Sequence, residues 1–325
     1  MLEMFYTIRK AWYMILAVIG VPANLVAIAI LPRSKCGLST CTIRYLVAMA
    51  VADLLIIIFD VMMKRINFYY FPGSLLNVTY ICTVFRVLTH VSTDMSVWFT
   101  VTFTFDRFVA ICCHKLKSKY CTEKSAAMVL SSVGILLCLK NVPIYFLFEP
   151  GEIINKVPWF CKIKPGCYTE PGWVGYDWFD TILNPLLPFV LILILNALTI
   201  KHILLASRVR KGLRGQSMGS NRGDPEMETR KRSMILLFTV SSSFIFLWLT
   251  YVLHFLYYNI TGMNPRYYSS NVYIFKEVGF MLRILSCCTN TFIYGVTQSK
   301  FREQLVKTVE NPFKPIIQHI KDKNK

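Results

Sequence analysis

The chain has 325 residues, 54% of them hydrophobic and only 17% charged, with a mean hydropathy of +0.46. That is too apolar for a soluble domain of ordinary composition, and the apolar residues are gathered into blocks near the roughly 20 residues that a helix needs to cross a bilayer. The net charge of +18 would suit nucleic acid, but basic loops facing anionic membrane lipid account for it, so no nucleic-acid partner is expected.

Seven blocks qualify as spans, at about residues 11–31, 43–63, 81–112, 125–148, 178–205, 233–258 and 272–296. None alternates with the period of a membrane barrel strand, so the expected fold is all-α, a seven-transmembrane helical bundle. The first block is too long for a cleaved signal peptide and lacks a convincing small-residue cleavage site. Residues 1–10 then form a short outer N-terminus, 11–298 the transmembrane domain, and 299–325 an amphipathic helix with a short tail. In that helix Phe301, Leu305 and Val309 share one face among basic residues, which suits a helix lying along the membrane surface.

With the N-terminus outside, more than half of the 36 Lys and Arg fall in the inner connections and the tail, among them Lys115, Lys117, Lys119, Arg208, Arg210, Lys211, Arg230, Lys231 and Arg232. This is the positive-inside asymmetry. The sequons beginning at Asn77 and Asn259 lie outside in the same orientation and are candidate glycosylation sites. The outer loop 149–177 is rich in Pro, Gly and aromatics, as a hairpin or irregular lid would be, and the polar, Gly-rich inner loop around 212–229 reads as mobile. Of eleven cysteines, Cys82 opens span three on the outer side, and Cys161 and Cys167 lie in the outer loop. An oxidising exterior allows Cys82 to bridge to either; Cys167, nearer to span five, is the favoured partner.

Charges within hydrocarbon are costly and usually face the bundle interior. In span two Asp53, Ile57, Asp60 and Lys64 recur at helical spacing; in span three Arg86, His90, Thr93, Val97, Thr100, Thr104 and Arg107 do the same; span seven adds Glu277 and Arg283. Such charges can simply pair and hold helices in register, and Lys64 can snorkel outward. The functional alternative is a polar cavity in which Asp60 accepts while Arg86 and Arg283 donate, suited to a zwitterion or a peptide terminus. Phe244, Trp248, Tyr251 and Phe255 recur at four, three and four along span six, with Phe280 on span seven. Core packing suits Phe244 and Trp248, whereas Tyr251, Phe255 and Phe280 are better placed to touch a ligand. The candidate ligand-binding residues are therefore Asp60, Arg86, Thr89, His90, Thr93, Trp248, Tyr251, Phe255, Phe280 and Arg283. His90 and His254 read as hydrogen-bonded pocket or core residues. No H-E-x-x-H, G-x-S-x-G or pair of aspartates at matching depth points to an intramembrane enzyme. A transporter or channel using the buried charges is the alternative, weakened by the lack of an internal repeat.

Ordered motifs add to this reading. Gly20-Val-Pro-Ala-Asn24 in span one, Leu46-Val-Ala-Met-Ala-Val-Ala-Asp53-Leu in span two, Asp106-Arg107-Phe108 in span three, Pro188 in span five, Phe244-x-x-x-Trp248 in span six and Asn290-Thr-Phe-Ile-Tyr294 in span seven together resemble the rhodopsin-like (class A) G-protein-coupled receptors. Cys82, twenty-five residues before Arg107, matches that family's disulfide pattern. The resemblance implies a plasma-membrane receptor with an extracellular N-terminus, a small-molecule or short-peptide agonist and a heterotrimeric G protein as partner. It implies an allosteric sodium ion on Asp53, Ser96 and Asn290, whose oxygens suit a small cation. It further implies that Asp106 holds Arg107 at rest and that a swing of span six releases it, with Phe244 and Trp248 coupling ligand contact to that swing and Tyr294 holding the open state. Thr250 and Thr291 replace the family's usual prolines in spans six and seven, Asn196 stands where many members have tyrosine, and span four lacks its usual tryptophan. Thr89 and Ile284 argue against monoamine receptors and opsins. The runs Leu247-Trp248 and Asn290–Tyr294 resemble an orphan subgroup that responds to aromatic amino acids and short peptides.

Overall fold

The computed structural model describes residues 2–34, 38–214 and 225–310. Six of its helices are long and apolar enough to cross a membrane: Leu2–Arg33, Thr40–Tyr70, Thr79–Cys112, Glu123–Leu147, Pro171–Arg208 and Lys231–Thr261. The seventh span, Ser270–Thr297, is of similar length but carries Lys276, Glu277 and Arg283. It belongs in the bundle because Glu277 and Arg283 turn inward and are buried. Large apolar side chains cover the outside instead, with Val18 70% and Phe246 74% exposed, the surface that lipid would cover.

Three apolar clusters fill the interior. One, at the Arg107 end, gathers Leu46, Met49, Phe103, Leu236 and Tyr294. A second joins spans one, two and seven through Tyr13, Leu16, Ile57 and Ile284, and a third packs Val97, Ile192, Phe244 and Trp248. Close approach of span one depends on Gly20, where a Cβ would lie 2.5 Å from Ile57 Cδ1 and 2.6 Å from Cys288 Sγ. One turn on, the buried Asn24 amide donates to Gly20 O at 3.0 Å and Cys287 O at 2.9 Å, tying span one to span seven.

Two spans depart from plain α geometry. In span two the stretch Ile57–Ile66 is a π-helix, with wider turns than an α-helix. In span five, Asn184 is extended at φ −156° and ψ 102° just before Pro185, because a proline ring disfavours the α region for its predecessor. The break lies here and not at Pro188. Span six, with Thr250 in place of proline, is one continuous helix over Pro225–Thr261.

Several expectations are corrected. The ten residues read as a separate outer segment are the opening turns of span one, whose helix starts at Leu2. Arg9 stabilises them there, reaching Glu277 of span seven at 2.9 Å. Asn77 is buried, and its amide donates to Phe71 O at 3.1 Å and Pro72 O at 2.8 Å, so a glycan on that nitrogen would break the turn that precedes span three. Asn259, half-buried, likewise donates to Thr181 Oγ1 at 2.9 Å and Phe255 O at 3.1 Å. The disulfide joins Cys82 to Cys161, not to Cys167. The loop forms an antiparallel hairpin, Phe148–Ile154 with Val157–Ile163, closed by Asn155 and Lys156 at positive φ, as a two-residue turn requires. Its return strand crosses the start of span three, where Thr79 Oγ1 donates to Phe160 O at 2.9 Å. That brings Cys161 over Cys82, while Cys167 stays a free thiol pointing at Leu147 O.

At the other end, the helix Ser299–Glu310 buries Phe301 against Tyr294, with ring centroids 6.1 Å apart, and packs Leu305 on the same cluster. The Val309 side chain, most of the inner loop around 212–229, the side chains of Arg210, Lys211 and Arg230, and the tail beyond residue 310 lie outside the described residues.

Peptide mapping without reduction should recover a peptide linking Cys82 to Cys161 and alkylated Cys167. Cys161→Ser should lower stability by about 3 kcal/mol, in the usual range for a loop-closing disulfide, and Cys167→Ser by far less; a Cys82–Cys167 peptide would contradict this fold.

Candidate functional site

Asp60 of span two is fully buried. One oxygen accepts from Lys64 Nζ at 2.8 Å and Arg65 Nε at 3.3 Å, and the other from Arg283 Nη2 at 2.6 Å. Arg65 also donates to Tyr13 OH of span one, and Arg283 to Thr93 Oγ1 of span three, each at 2.8 Å. One carboxylate thus binds spans one, two, three and seven into a single network. The π-helix makes this possible: with i→i+5 spacing, Asp60 and Arg65 stack on one face, whereas at 100° per residue they would point apart. Lys64, which shares the span-two stripe with Asp60 and could have snorkelled outward, turns in and pairs with it.

A second acid, Glu277, serves Arg9 at 2.9 Å, Arg65 at 3.8 Å and Lys276 at 3.8 Å. The Arg283 guanidinium lies 5.3 Å from the Tyr251 ring centroid, 5.6 Å from Phe280 and 5.9 Å from Trp248, within cation–π range. Below it Trp248 stacks on Phe244 at 5.1 Å and donates Nε1–H to Ser286 Oγ at 3.0 Å.

These groups border two cavities. The larger, about 260 Å³, lies under the hairpin and is lined by Arg9, Lys64, Arg65, Phe85, Arg86 and Glu277 among others. The smaller, about 60 Å³, is bordered by Thr89, His90, Thr93, Tyr251, Phe280 and Arg283, and Lys64 lines both. The single cavity with Asp60 as acceptor and Arg86 and Arg283 as donors is therefore corrected. Asp60 is sealed behind its three cations, Arg86 and Arg283 face different cavities, and Phe255 stacks behind Tyr251 at 4.9 Å and lines neither.

The sequence reading missed a further buried network. Asp94 accepts from Lys140 Nζ and Asn141 Nδ2, each at 2.7 Å, and from Asn184 Nδ2. Lys140 also pairs with Asp180, so spans three, four and five are joined on the far side of the smaller cavity. The signal was present: Asp94, Lys140 and Asn184 each interrupt or end an apolar block. Asp94 lies one residue off the span-three stripe, and only the break before Pro185 turns Asn184 toward it.

At the opposite end Arg107 is clasped to Asp106, with Nε–H donated to Oδ2 at 3.0 Å, and reaches Ser233 Oγ of span six at 3.2 Å. The Cys41 thiol of span two donates to Asp106 Oδ1 at 3.0 Å. Midway between the ends, Asp53 is 1% exposed and accepts from Ser96 Oγ at 2.6 Å and Asn290 Nδ2 at 2.8 Å. Tyr294 is fully buried beside Phe301.

The sequence matches the 7 transmembrane receptor (rhodopsin family) over residues 23–294, the stretch that holds nearly all these groups. The chain belongs to this family. It is a multi-pass membrane receptor of the rhodopsin family, 23% identical over 232 residues to a Drosophila melanogaster protein described as Tachykinin-like peptides receptor 86C, a match covering 68% of this chain and 43% of that protein. It is 25% identical over 313 residues to Homo sapiens G-protein coupled receptor 182, covering 92% of this chain and 69% of that one. The receptor thus spans less than half the length of the Drosophila relative.

Proposed function

We propose that the protein sits in the plasma membrane with its N-terminus and disulfide end outside, binds a small zwitterionic or peptide ligand between the hairpin and Arg283, and activates a heterotrimeric G protein at the Arg107 end. The observation that carries this reading is the position of span six. Through Tyr251 and Trp248 it touches Arg283 at one end, and through Ser233 it touches Arg107 at the other. A ligand that changes the surroundings of Arg283 therefore biases the same rigid helix that latches Arg107, and population shift between two bundle states follows from that bias.

Asp53 suits the allosteric sodium ion. Among the described residues no basic side chain pairs with this buried carboxylate, and an isolated ionised carboxylate is costly to bury. The adjoining space of about 10 Å³, lined also by Thr100, Ser243 and Ser286, suits a bare small cation among one anionic and several neutral oxygens. When bound, the ion supplies the missing positive charge, while Ser96 and Asn290 orient the Asp53 oxygens.

Two measurements test these proposals. In cells co-expressing a G protein, some member of a screen of amino acids and short peptides added to the medium should drive nucleotide exchange. Arg107→Ala should abolish that response at unchanged surface expression, and a full response in the variant would refute the switch. For the cation, the melting temperature of purified protein should be higher in sodium chloride than in equimolar choline chloride, and Asp53→Asn should erase the difference; equal sodium stabilisation in that variant would place the ion elsewhere.

A further inference from the structure

The larger cavity is unbalanced in charge. Four cationic side chains, Arg9, Lys64, Arg65 and Arg86, line it against one acid, Glu277. Asp60, just behind the wall, is already shared by Lys64, Arg65 and Arg283, and Glu277 by Arg9, Arg65 and Lys276. Two carboxylates thus serve five cations, and none reaches Arg86. Among the described residues no carboxylate forms an ion pair with the Arg86 guanidinium, which faces the Phe148 ring of the hairpin at 5.7 Å. Arg9, 7% exposed, has its Nε–H without an acceptor. Arg86 is half-buried on the cavity wall, and a guanidinium held there with no carboxylate beside it is placed to receive an acidic group through charge-assisted hydrogen bonds.

We infer that the larger cavity is an anion-recognition site in which Arg86 and Lys64 receive a carboxylate or similar acidic group of the ligand, with aromatic body lodged against Phe68, Phe85 and Phe160. This rests on the ligand-binding reading above and adds the sign of the recognised group and its place. Arg283 lines the smaller cavity and not this one, so it is not its receptor. The volume decides the size class: about 260 Å³ falls just below the range of ordinary small-molecule pockets, so it takes one aromatic acid or the acidic end of a longer chain, and not a folded peptide. The hairpin, carrying Phe148, Phe160 and the Cys82–Cys161 bridge, roofs this site.

The test uses three probes with one body and three charges: 3-phenylpropionate, 3-phenylpropanamide and 3-phenylpropylamine. Each is added at millimolar concentration to the purified full chain in phosphatidylcholine nanodiscs, so that any anion comes from solution, and thermal unfolding is read. The carboxylate should raise the melting temperature and the amide and amine should not. Arg86→Gln should weaken the carboxylate effect about tenfold or more, the loss expected for one charge-assisted hydrogen bond, and Arg86→Lys should retain most of it. Without any probe, Arg86→Gln should melt no lower than wild type, because it removes an uncompensated charge. No response to the carboxylate, an equal response to the amine, or a destabilised probe-free Arg86→Gln would each overturn the inference. So would equal stabilisation of the probe-free protein by phosphatidylserine discs, which would assign the anion to lipid. Binding without nucleotide exchange would count against the switch and leave the anion site standing.

Discussion

One buried carboxylate organises the disulfide end of the bundle. Asp60 is fully buried and accepts from three cations, and through their other hydrogen bonds it reaches spans one, three and seven. An ion pair taken out of water is stable only where nearly every donor and acceptor is satisfied, so the network dictates local backbone. The π-turns of Ile57–Ile66 place Arg65 under Asp60, and the start of span one is held down where Arg9 meets Glu277. The same constraint shapes the ligand region, since Asp60, being saturated, is screened from both cavities.

Packed aromatics along span six connect the two ends of the molecule. Arg283 contacts Tyr251 and Trp248, Trp248 stacks on Phe244, and Phe244 borders the small space beside Asp53. Farther along the same helix Ser233 meets Arg107. This is a contiguous run of packed groups on a rigid element, the physical form that coupling between distant sites can take. The second network, Asp94 with Lys140, Asp180 and Asn184, joins spans three, four and five on the other side.

Much of this was legible in the residues. Blocks of apolar residues fixed the spans because hydrocarbon thickness sets helix length, and the motif order along them identified the family. Asp53 with Ser96 and Asn290, and Asp106 with Arg107, were foreseen as neighbours and are neighbours here. What escaped the sequence escaped for geometric reasons. Arg65 was invisible to a 100° periodicity because the π-helix changes the period, and Asp94 was hidden one position off the stripe. Cys167 was preferred over Cys161 by its closeness to span five, whereas the path of a hairpin strand decides the pairing. Arg86 and Arg283 read from the sequence as lining one cavity, yet they face two, with Lys64 lining both.

Asp60 is the common acceptor through which spans one, two, three and seven are held together. Thermal unfolding of Asp60→Asn in nanodiscs, beside Asp60→Asn combined with Lys64→Met, tests it most directly. Stranding three buried cations should lower stability by about 3–5 kcal/mol, and removing one of the stranded charges should recover part of that loss. An unchanged melting temperature in Asp60→Asn, or a further drop on adding Lys64→Met, would contradict the account.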